Sequence, residues 1–460
     1  MTENAFTTLS LDPSWIENLD QLGYTSMTAI QARALPVMLE GRDVMGQAHT
    51  GTGKTAAFGL ALLSRITPGG RLPGALVLCP TRELATQVAE EIRRLARPLA
   101  NTNVVTICGG HSFSRQREAL NNGVDVVVGT PGRVLDHLKK ETLRLSKVST
   151  LVLDEADRML DMGFIDDVSA IADAAASKRQ TLLFSATIPE EIRELSETIQ
   201  EDAAFISVAD EAAQAPDIDQ ILYEIGEVDR LEALERVLAH HRPDSAVIFC
   251  NQRDTCDEVT TRLKSLGYSA RALHGGMEQR DRDTTLLLFS NASLRLLVAT
   301  NVAARGLDIE ELDAVINYEL PRETQAFTHR VGRTGRAGAR GIAISLVSEK
   351  DERRVEKLDE HLGDLEPHDA AALPRPDHTP PPAAMKTIAI QGGRKDKLRP
   401  GDIVGAFTGE LGIPNQAIGL ITTRDRITFV ALNRDVAPDA LAAIKAGQIK
   451  GRNFGVFMVQ

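Results

Sequence analysis

The chain has 460 residues, 43% hydrophobic and 25% charged, with a net charge of −12. That balance suits a globular protein of about three domains and excludes a low-complexity or fibrous chain. It also argues against a protein that coats nucleic acid by bulk charge.

Several other classes fall away with it. No apolar run approaches the roughly 20 residues of a membrane span. Residues 1–15 lack the basic and apolar regions of a signal peptide. Cys79, Cys108, Cys250 and Cys256 form no CxxC pair and no His/Cys cluster with metal spacing. The expectation is a cytoplasmic protein with no membrane contact, disulfide framework or zinc.

In chain order, a short strand over 43–47 leads into Ala48-His49-Thr50-Gly51-Thr52-Gly53-Lys54-Thr55 and a buried helix over 56–63. This is a phosphate-binding loop. Thr50, Gly51, Thr52 and Gly53 turn backbone N–H groups toward phosphate oxygens, Lys54 adds a cation, and the Thr55 hydroxyl can ligate Mg²⁺. The helix N-terminus adds its dipole to the anion site. A loose GxGxxA dinucleotide pattern also fits, but a dehydrogenase has no use for Lys-Thr there, and no partner acid closes a compact βαβ unit.

Apolar strands then alternate with helices: 75–79, 104–107, 124–128, 151–153 and 181–184. Continuous apolar strands between helices predict a parallel sheet covered on both faces. The acids Asp154-Glu155-Ala156-Asp157 directly follow the strand 151–153. Carboxylates at such a strand end can hold Mg²⁺ and position an attacking water.

After a hinge over 208–217 the pattern restarts with strands at 246–249, 270–273, 296–299, 314–317 and 341–346. Six of the 20 prolines fall in 362–385, which predicts a semi-rigid linker with no core. Residues 386–460 predict a small α+β domain, with helices over 402–408 and 438–446 and strands over 417–422, 428–432 and 454–459. This tail holds eleven Lys/Arg against six Asp/Glu, a surplus of five, while residues 1–385 carry a net −17. A basic module on an acidic body suggests that the tail finds a polyanion.

Further motifs stand at the predicted strand ends: Pro80-Thr81-Arg82-Glu83-Leu84-Ala85, Gly109-Gly110, Thr130-Pro131-Gly132-Arg133 and Ser185-Ala186-Thr187. The second half adds Gln279-Arg280-Asp281-Arg282, Ala303-Ala304-Arg305-Gly306-Leu307-Asp308 and His329-Arg330-Val331-Gly332-Arg333-Thr334-Gly335-Arg336. In order and spacing, residues 6–360 resemble the DEAD-box RNA helicases. The tail, through the Gly392–Asp402 run and Ile449-Lys450-Gly451-Arg452, resembles the RNA-binding domain of one branch of that family, an RRM-like fold that recognises a hairpin of 23S ribosomal RNA.

The resemblance implies two tandem RecA-like parallel-sheet domains, 1–207 and 217–361, then the linker 362–385 and an α+β RRM-like domain, 386–460. It implies an ATP- and Mg²⁺-dependent RNA helicase, monomeric, acting on 23S ribosomal RNA within precursors of the large subunit. Lys54, Asp154, Glu155, Arg333 and Arg336 would be catalytic, with Thr55 and Asp154 toward the metal. Phe6, Gln31, Gly306 and Asp308 would join the phosphate loop in holding ATP, Gln31 by offering adenine a donor and an acceptor side by side. Asp157, Ser185, Thr187 and His329 would couple ATP to RNA. Core RNA contacts would come from Pro80, Thr81, Arg82, Gly110, Thr130, Gly132, Arg133, Arg282 and Thr300. Those of the tail would come from Arg394, Lys395, Lys397, Arg399, Lys450 and Arg452.

The chain departs from the family at Asn301, where Asp is usual, and at Gln252, where Ser or Thr is usual. Met27 and Ala29 replace prolines. Arg452 stands nearly alone where the last strand of the tail carries several arginines, which puts the strength of tail binding in question. A vestigial RNA clamp, a DNA translocase and a simple P-loop kinase are the rival readings. The intact Lys54, Glu155 and Arg333/Arg336 set opposes the first, Asp157 with the 80–85 motif the second, and the second helicase-like half the third.

Overall fold

The computed structural model describes residues 4–49, 51–208, 218–301, 312–335, 340–362, 365–375, 379–410 and 412–459. The chain divides near residue 215 into two units. The hinge segment 209–217 lies outside the described residues.

The first unit holds a seven-stranded parallel sheet, made of β1 (Val44–Gln47), β2 (Ala75–Leu78), β3 (Val104–Ile107), β4 (Val126–Gly129), β5 (Thr150–Asp154), β6 (Gln180–Ser185) and β7 (Ala204–Ser207). Their order is β3-β4-β2-β5-β6-β1-β7. Period-two alternation splits each strand between two cores. Val77, Val152, Leu182 and Phe184 pack on one face of the sheet. Leu76, Leu151, Leu153 and Leu183 pack on the other. Burial on both faces explains why these strands read as unbroken apolar runs. β6 lies between β1 and β5, and the register pairs Gln47 with Ser185 and Asp154 with Phe184. The residues that follow β1, β5 and β6 therefore emerge side by side at the carboxyl edge, where open α/β sheets bind ligands.

The second unit begins with another seven-stranded parallel sheet, of β8 (Ile218–Glu224), β9 (Ala246–Cys250), β10 (Ala270–Leu273), β11 (Leu296–Thr300), β12 (Ala314–Asn317), β13 (Gly341–Val347) and β14 (His368–Asp369). Their order is β10-β11-β9-β12-β13-β8-β14. It ends with a four-stranded antiparallel sheet ordered β16-β17-β15-β18, from β15 (Met385–Ile390), β16 (Ile418–Thr423), β17 (Thr428–Asn433) and β18 (Val456–Met458). Ile388, Ile390, Val430 and Leu432 on its inner face pack with Ile403, Phe407, Ala440 and Ile444 from the helical segments. The fold class is thus two parallel-sheet RecA-like domains followed by a small α+β domain. In that last domain the helix predicted over 402–408 is Pro400–Gly405, continued by a π-helical turn over Ala406–Glu410.

Three strands escape the sequence pattern. β7 sits at a sheet edge, β8 mixes acids and Gln with its apolar residues, and β14 has two residues. β14 also corrects the reading of 362–385 as a linker with no core. It pairs with Tyr223 and Glu224 of β8. Ala370 is fully buried in the core of the second sheet. Arg236 donates to the carbonyls of Ala371 and Leu373, at 2.6 and 2.8 Å. The small domain is docked as well. Asn291 Nδ2 donates to Thr387 Oγ1 at 2.8 Å, Ser293 Oγ lies 2.8 Å from the same oxygen, and Met385 N donates to the carbonyl of Ala292. Composition suggests a semi-rigid proline linker, but its backbone carbonyls at Ala371 and Leu373 accept from a side chain of the second sheet's domain.

Candidate active site

The phosphate loop leaves β1 and enters the helix Lys54–Arg65 through Gly53, whose φ of 88° is left-handed. A Cβ there would stand 2.5 Å from Gln31 Nε2. The close approach is functional packing: Gln31 donates to the Gly53 carbonyl at 3.0 Å and accepts from Thr28 N at 2.9 Å. Thr28 Oγ1 in turn donates to the Thr52 carbonyl at 2.7 Å. Gln31 is 1% exposed. It therefore ties the loop to the preceding helix, and one lone pair and one N–H of its carboxamide remain beyond these two bonds. The Lys54 ammonium is buried and donates to the Ala48 carbonyl at 2.8 Å, across the base of the loop. Thr55 is half-buried beside it, and Gly51 also has a left-handed φ, of 84°. Phe6 is buried in the first core, edge-on to Tyr24 with ring centroids 6.3 Å apart. Thr50 lies outside the described residues.

At the end of β5, Asp154 and Glu155 are both buried. Glu155 has φ 58°, a left-handed conformation that costs a non-glycine residue about 1 kcal/mol or more. It turns the chain sharply into the helix Ala156–Asp161. Glu155 Oε2 accepts from Arg158 Nη1 at 2.8 Å in an ion pair whose side chains are almost wholly buried. Asp154 Oδ1 is buried with no hydrogen-bond partner. Burial pushes the Asp154 carboxyl up to about 6, with Glu155 adding to the rise and Lys54 and Arg158 opposing it. Such an orphaned oxygen, with the Thr55 hydroxyl on the phosphate loop, fits a hard cation that takes oxygen ligands. Among the described residues no cluster of three or more His, Cys, Asp or Glu could hold a metal alone. Any cation here draws its remaining ligands from elsewhere.

Asp157 joins the end of β5 to that of β6. Its Oδ2 accepts from Thr187 N and Thr187 Oγ1, both at 3.0 Å, and its own N–H donates to Ser185 Oγ at 3.0 Å. Burial alone would raise the Asp157 carboxyl. The bonds from Thr187 and Ser185 outweigh it and hold the carboxyl below its usual range.

A second cluster lies at the ends of β2, β3 and β4. Thr81 is buried and caps the helix Arg82–Leu95, accepting from Leu84 N at 3.2 Å. Pro80 is buried, Gly110 is exposed with φ 77°, and Thr130 directly follows β4 ahead of Gly132. Arg82 passes close to Gly109. Arg133 donates to the His111 carbonyl at 3.0 Å and to Gln116 Oε1 at 2.9 Å. His137 Nε2 lies 3.2 Å from the same Gln116 oxygen, and its ring stacks on Phe113 with centroids 4.0 Å apart. Since Gln116 Oε1 can only accept, His137 carries its proton on Nε2. Burial, helped by the Arg133 cation, holds the imidazole down at about 4. Gln116 carries no signal in the sequence; it reaches Arg133 and His137, four residues apart on one helix, only through the fold.

In the second unit, Thr300 is buried at the end of β11, Arg282 and His329 are half-buried, and Gln252 is exposed. Arg333 is buried. Gly306, Asp308 and Arg336 lie outside the described residues. Asn301 retains a partner: its Oδ1 accepts from Arg330 Nε. Among the described residues Arg330 is the largest fully buried side chain, 2% exposed. It also donates to Asn317 Oδ1 at 3.0 Å, the Glu319 carbonyl at 2.6 Å and Asn251 Oδ1 at 3.0 Å, and stands 5.0 Å over the Phe249 ring. Neutral carboxamides thus surround this cation on three sides. Its place in the 329–336 motif gives no hint of this burial.

In the small domain the two signature segments meet. Lys450 Nζ contacts Asp402 Oδ2 at 2.9 Å and the Lys397 carbonyl at 3.3 Å, and Arg399 N donates to the same Asp402 oxygen. Gly393 has no room for a Cβ, which would lie 2.1 Å from the Arg424 carbonyl. Its absence lets Arg394 N and Lys395 N bond the backbone of Arg424 and Asp425, both at 2.9 Å. Arg394 also pairs with Asp425 at 3.0 Å. Lys395, Lys397, Arg399 and Arg452 are exposed.

Comparison with known proteins agrees with this geometry. Residues 28–195 match the DEAD/DEAH box helicase family, 229–338 the helicase conserved C-terminal domain, and 387–456 the DbpA RNA binding domain. The ATP-dependent RNA helicase DbpA of Escherichia coli (strain K12) is 46% identical over 99% of this chain and 100% of its own length. That of Bacillus subtilis (strain 168) is 37% identical over 95% and 96%. Among solved structures, Dbp5 of S. cerevisiae bound to RNA and ADP BeF3 superposes with a TM-score of 0.71 at 32% identity, covering 80% of this chain and 95% of that one. No helix among the described residues is long and apolar enough to cross a membrane. With both helicase halves and the RNA-binding domain present over nearly the full length of its relatives, the chain belongs to the DEAD-box ATP-dependent RNA helicases, in the branch that carries a DbpA RNA-binding domain.

Proposed function

We propose that ATP hydrolysis at the carboxyl edge of the first sheet drives the opening of short RNA duplexes, and that the small domain directs this activity to 23S ribosomal RNA during assembly of the large subunit. One observation carries the reading: Lys54, Asp154, Glu155 and the Asp157–Thr187 pair emerge from β1, β5 and β6 side by side.

In this reading Gln31 meets adenine with its remaining donor and acceptor, and Lys54 exchanges the Ala48 carbonyl for phosphate. Asp154, through water, and Thr55 would hold Mg²⁺, which when bound neutralises phosphate charge. Glu155, fixed by Arg158, orients the attacking water and accepts its proton. Arg333 and Arg336 stabilise charge on the γ-phosphate. Gly306 and Asp308 meet the nucleotide, and Asp157, Ser185, Thr187 and His329 transmit its presence to the RNA contacts. Backbone amides and hydroxyls at Thr81, Gly110 and Thr130, with Arg82 and Arg133, suit phosphates and 2′-hydroxyls, so the core reads RNA without regard to sequence. The protein acts as a cytoplasmic monomer. The test is ATPase activity titrated with 23S fragments, unrelated structured RNA and poly(A). Stimulation is expected to be strongest for the 23S fragments. Equal response to all three refutes the ribosomal assignment.

A further inference from the structure

The docking of the small domain onto the second parallel-sheet domain leaves a solvent-open cavity of about 250 Å³. At about 30 Å³ per water this is room for roughly eight waters, so it is a wet site and not a packing defect. Three cations line it: Lys264 and Arg271 from the sheet domain and Lys386 from β15. The hydroxyl-bearing Tyr268, Ser293 and Thr387 line it too, and the lining contains no Asp or Glu. Among the described residues none of the three cations has an ion-pair partner. Burial holds the Arg271 guanidinium below its ordinary value, with Asp281 offsetting part of the effect. Two domains therefore meet across like charges, and Asp281, outside the lining, offsets only part of the burial of one of them.

The position sets the cavity apart from the sites described above. Arg271 stands at the start of β10, and Ser293 just precedes β11, whereas Thr300 ends β11. The cavity thus opens at the amino edge of the sheet, opposite the edge that carries the helicase motifs. Lys386 and Ile390 bracket four steps of β15, about 13 Å, and the basic loop with Arg394 and Lys395 follows directly. One RNA strand held at that loop can reach the junction.

We propose that Lys264, Arg271 and Lys386 bind backbone phosphate of RNA that leaves the small domain, so that the strand passes over the amino edge of the second sheet. The proposal rests on the small domain binding RNA. Phosphate at the junction removes the repulsion between the two domains and fastens their contact.

The test uses the full chain, poly(U) as probe and binding measured across a KCl series. For single strands each lost phosphate contact makes the slope of log K against log salt shallower by about 0.7. The combined Lys264→Gln, Arg271→Gln and Lys386→Gln variant is expected to bind about fiftyfold more weakly near 0.15 M salt, with the slope shallower by about 2. Its turnover number for ATP at saturating RNA stays unchanged. Lys386→Gln alone shows a third of the slope change, and Arg271→Lys keeps the wild-type slope. Weaker binding with an unchanged slope would mean undocking without phosphate contact, and overturns the proposal. Arg394→Gln with Lys395→Gln serves as the control. If it weakens binding and the junction variant does not, the junction site is refuted while the small domain's role stands. If neither changes affinity, both fail. Inorganic phosphate that stabilises the wild type against heat but not the junction variant, with equal poly(U) affinity for the two, assigns the cavity to a free anion and also refutes the proposal.

Discussion

Replacing Arg330 with methionine keeps the volume and removes every donor. Four acceptors then lose their bonds: Asn301 Oδ1, Asn317 Oδ1, Asn251 Oδ1 and the Glu319 carbonyl. Asn317 is fully buried, so its oxygen costs the full penalty for an unsatisfied group, about 1–3 kcal/mol. Asn251 and Asn301 are half-buried, and with the Glu319 carbonyl they find some water, which leaves roughly 0.5–1 kcal/mol each. The total is about 3–6 kcal/mol, a large part of the 5–15 kcal/mol that holds a domain folded. With a urea slope of about 2 kcal/mol per molar, the midpoint of the second domain falls by roughly 2 M. Arg330→Lys supplies three donors for four acceptors and falls by about half as much. Urea melts followed by far-UV circular dichroism report the loss. The single tryptophan, Trp15, lies in the first core, so its fluorescence reports the other domain and is expected not to move. A circular-dichroism midpoint within about 0.3 M of wild type would falsify the hub role, because no solvation of the acceptors could then be missing.

Gly53→Ala places a Cβ against Gln31 and forces an alanine into a left-handed φ, so ATP affinity is expected to drop at least tenfold by equilibrium titration; unchanged affinity removes Gln31 from the loop's support. Glu155→Gln keeps a hydrogen bond to Arg158 but no longer accepts a proton. Steady-state turnover is expected to fall at least a hundredfold, while the complex with ATP and single-stranded RNA persists in dissociation experiments. Rapid turnover assigns the base elsewhere. His137 is held down at about 4 against 6.5 in the unfolded chain. The unfolded state then binds the extra proton between those values, so this contribution is whole above pH 6.5 and is lost as pH falls toward 4. The difference in unfolding free energy between wild type and His137→Gln is expected to be flat above pH 6.5 and to shrink below it; a difference that grows on acidification reverses the sign and refutes the neutral assignment.

Much of the candidate catalytic edge is legible in the sequence because its parts are contiguous. A loop ending in Lys54-Thr55 must follow a strand, and Asp154-Glu155 directly after Leu151-Val152-Leu153 must stand at a strand end. The parallel sheets are legible because burial on both faces leaves unbroken apolar runs. What fails to show is whatever depends on long-range contact. Gln116 meets Arg133 and His137 across 17 and 21 residues of chain. The acceptors of Arg330 come from positions up to 79 residues away. Arg158 could have been noticed, since an acid and a base three apart on a helix face one another. β8 was lost because Asp219 and Gln220 break its apolar run. The segment 362–385 misled because proline content speaks of stiffness and says nothing of the backbone acceptors that Arg236 finds there.

The docked stretches of that segment change what kind of connection joins the small domain to the rest. A flexible tether of 24 residues would behave as a leash, with a mean reach of roughly 27 Å in any direction. It would raise the local concentration of a captured RNA without orienting it. Pairing of β14 with β8, burial of Ala370 and the Asn291–Thr387 bond make it a bracket instead. Cargo gripped by the small domain is then held at a set bearing to the second helicase half. Any movement of that half would carry the cargo with it as a crank carries its load.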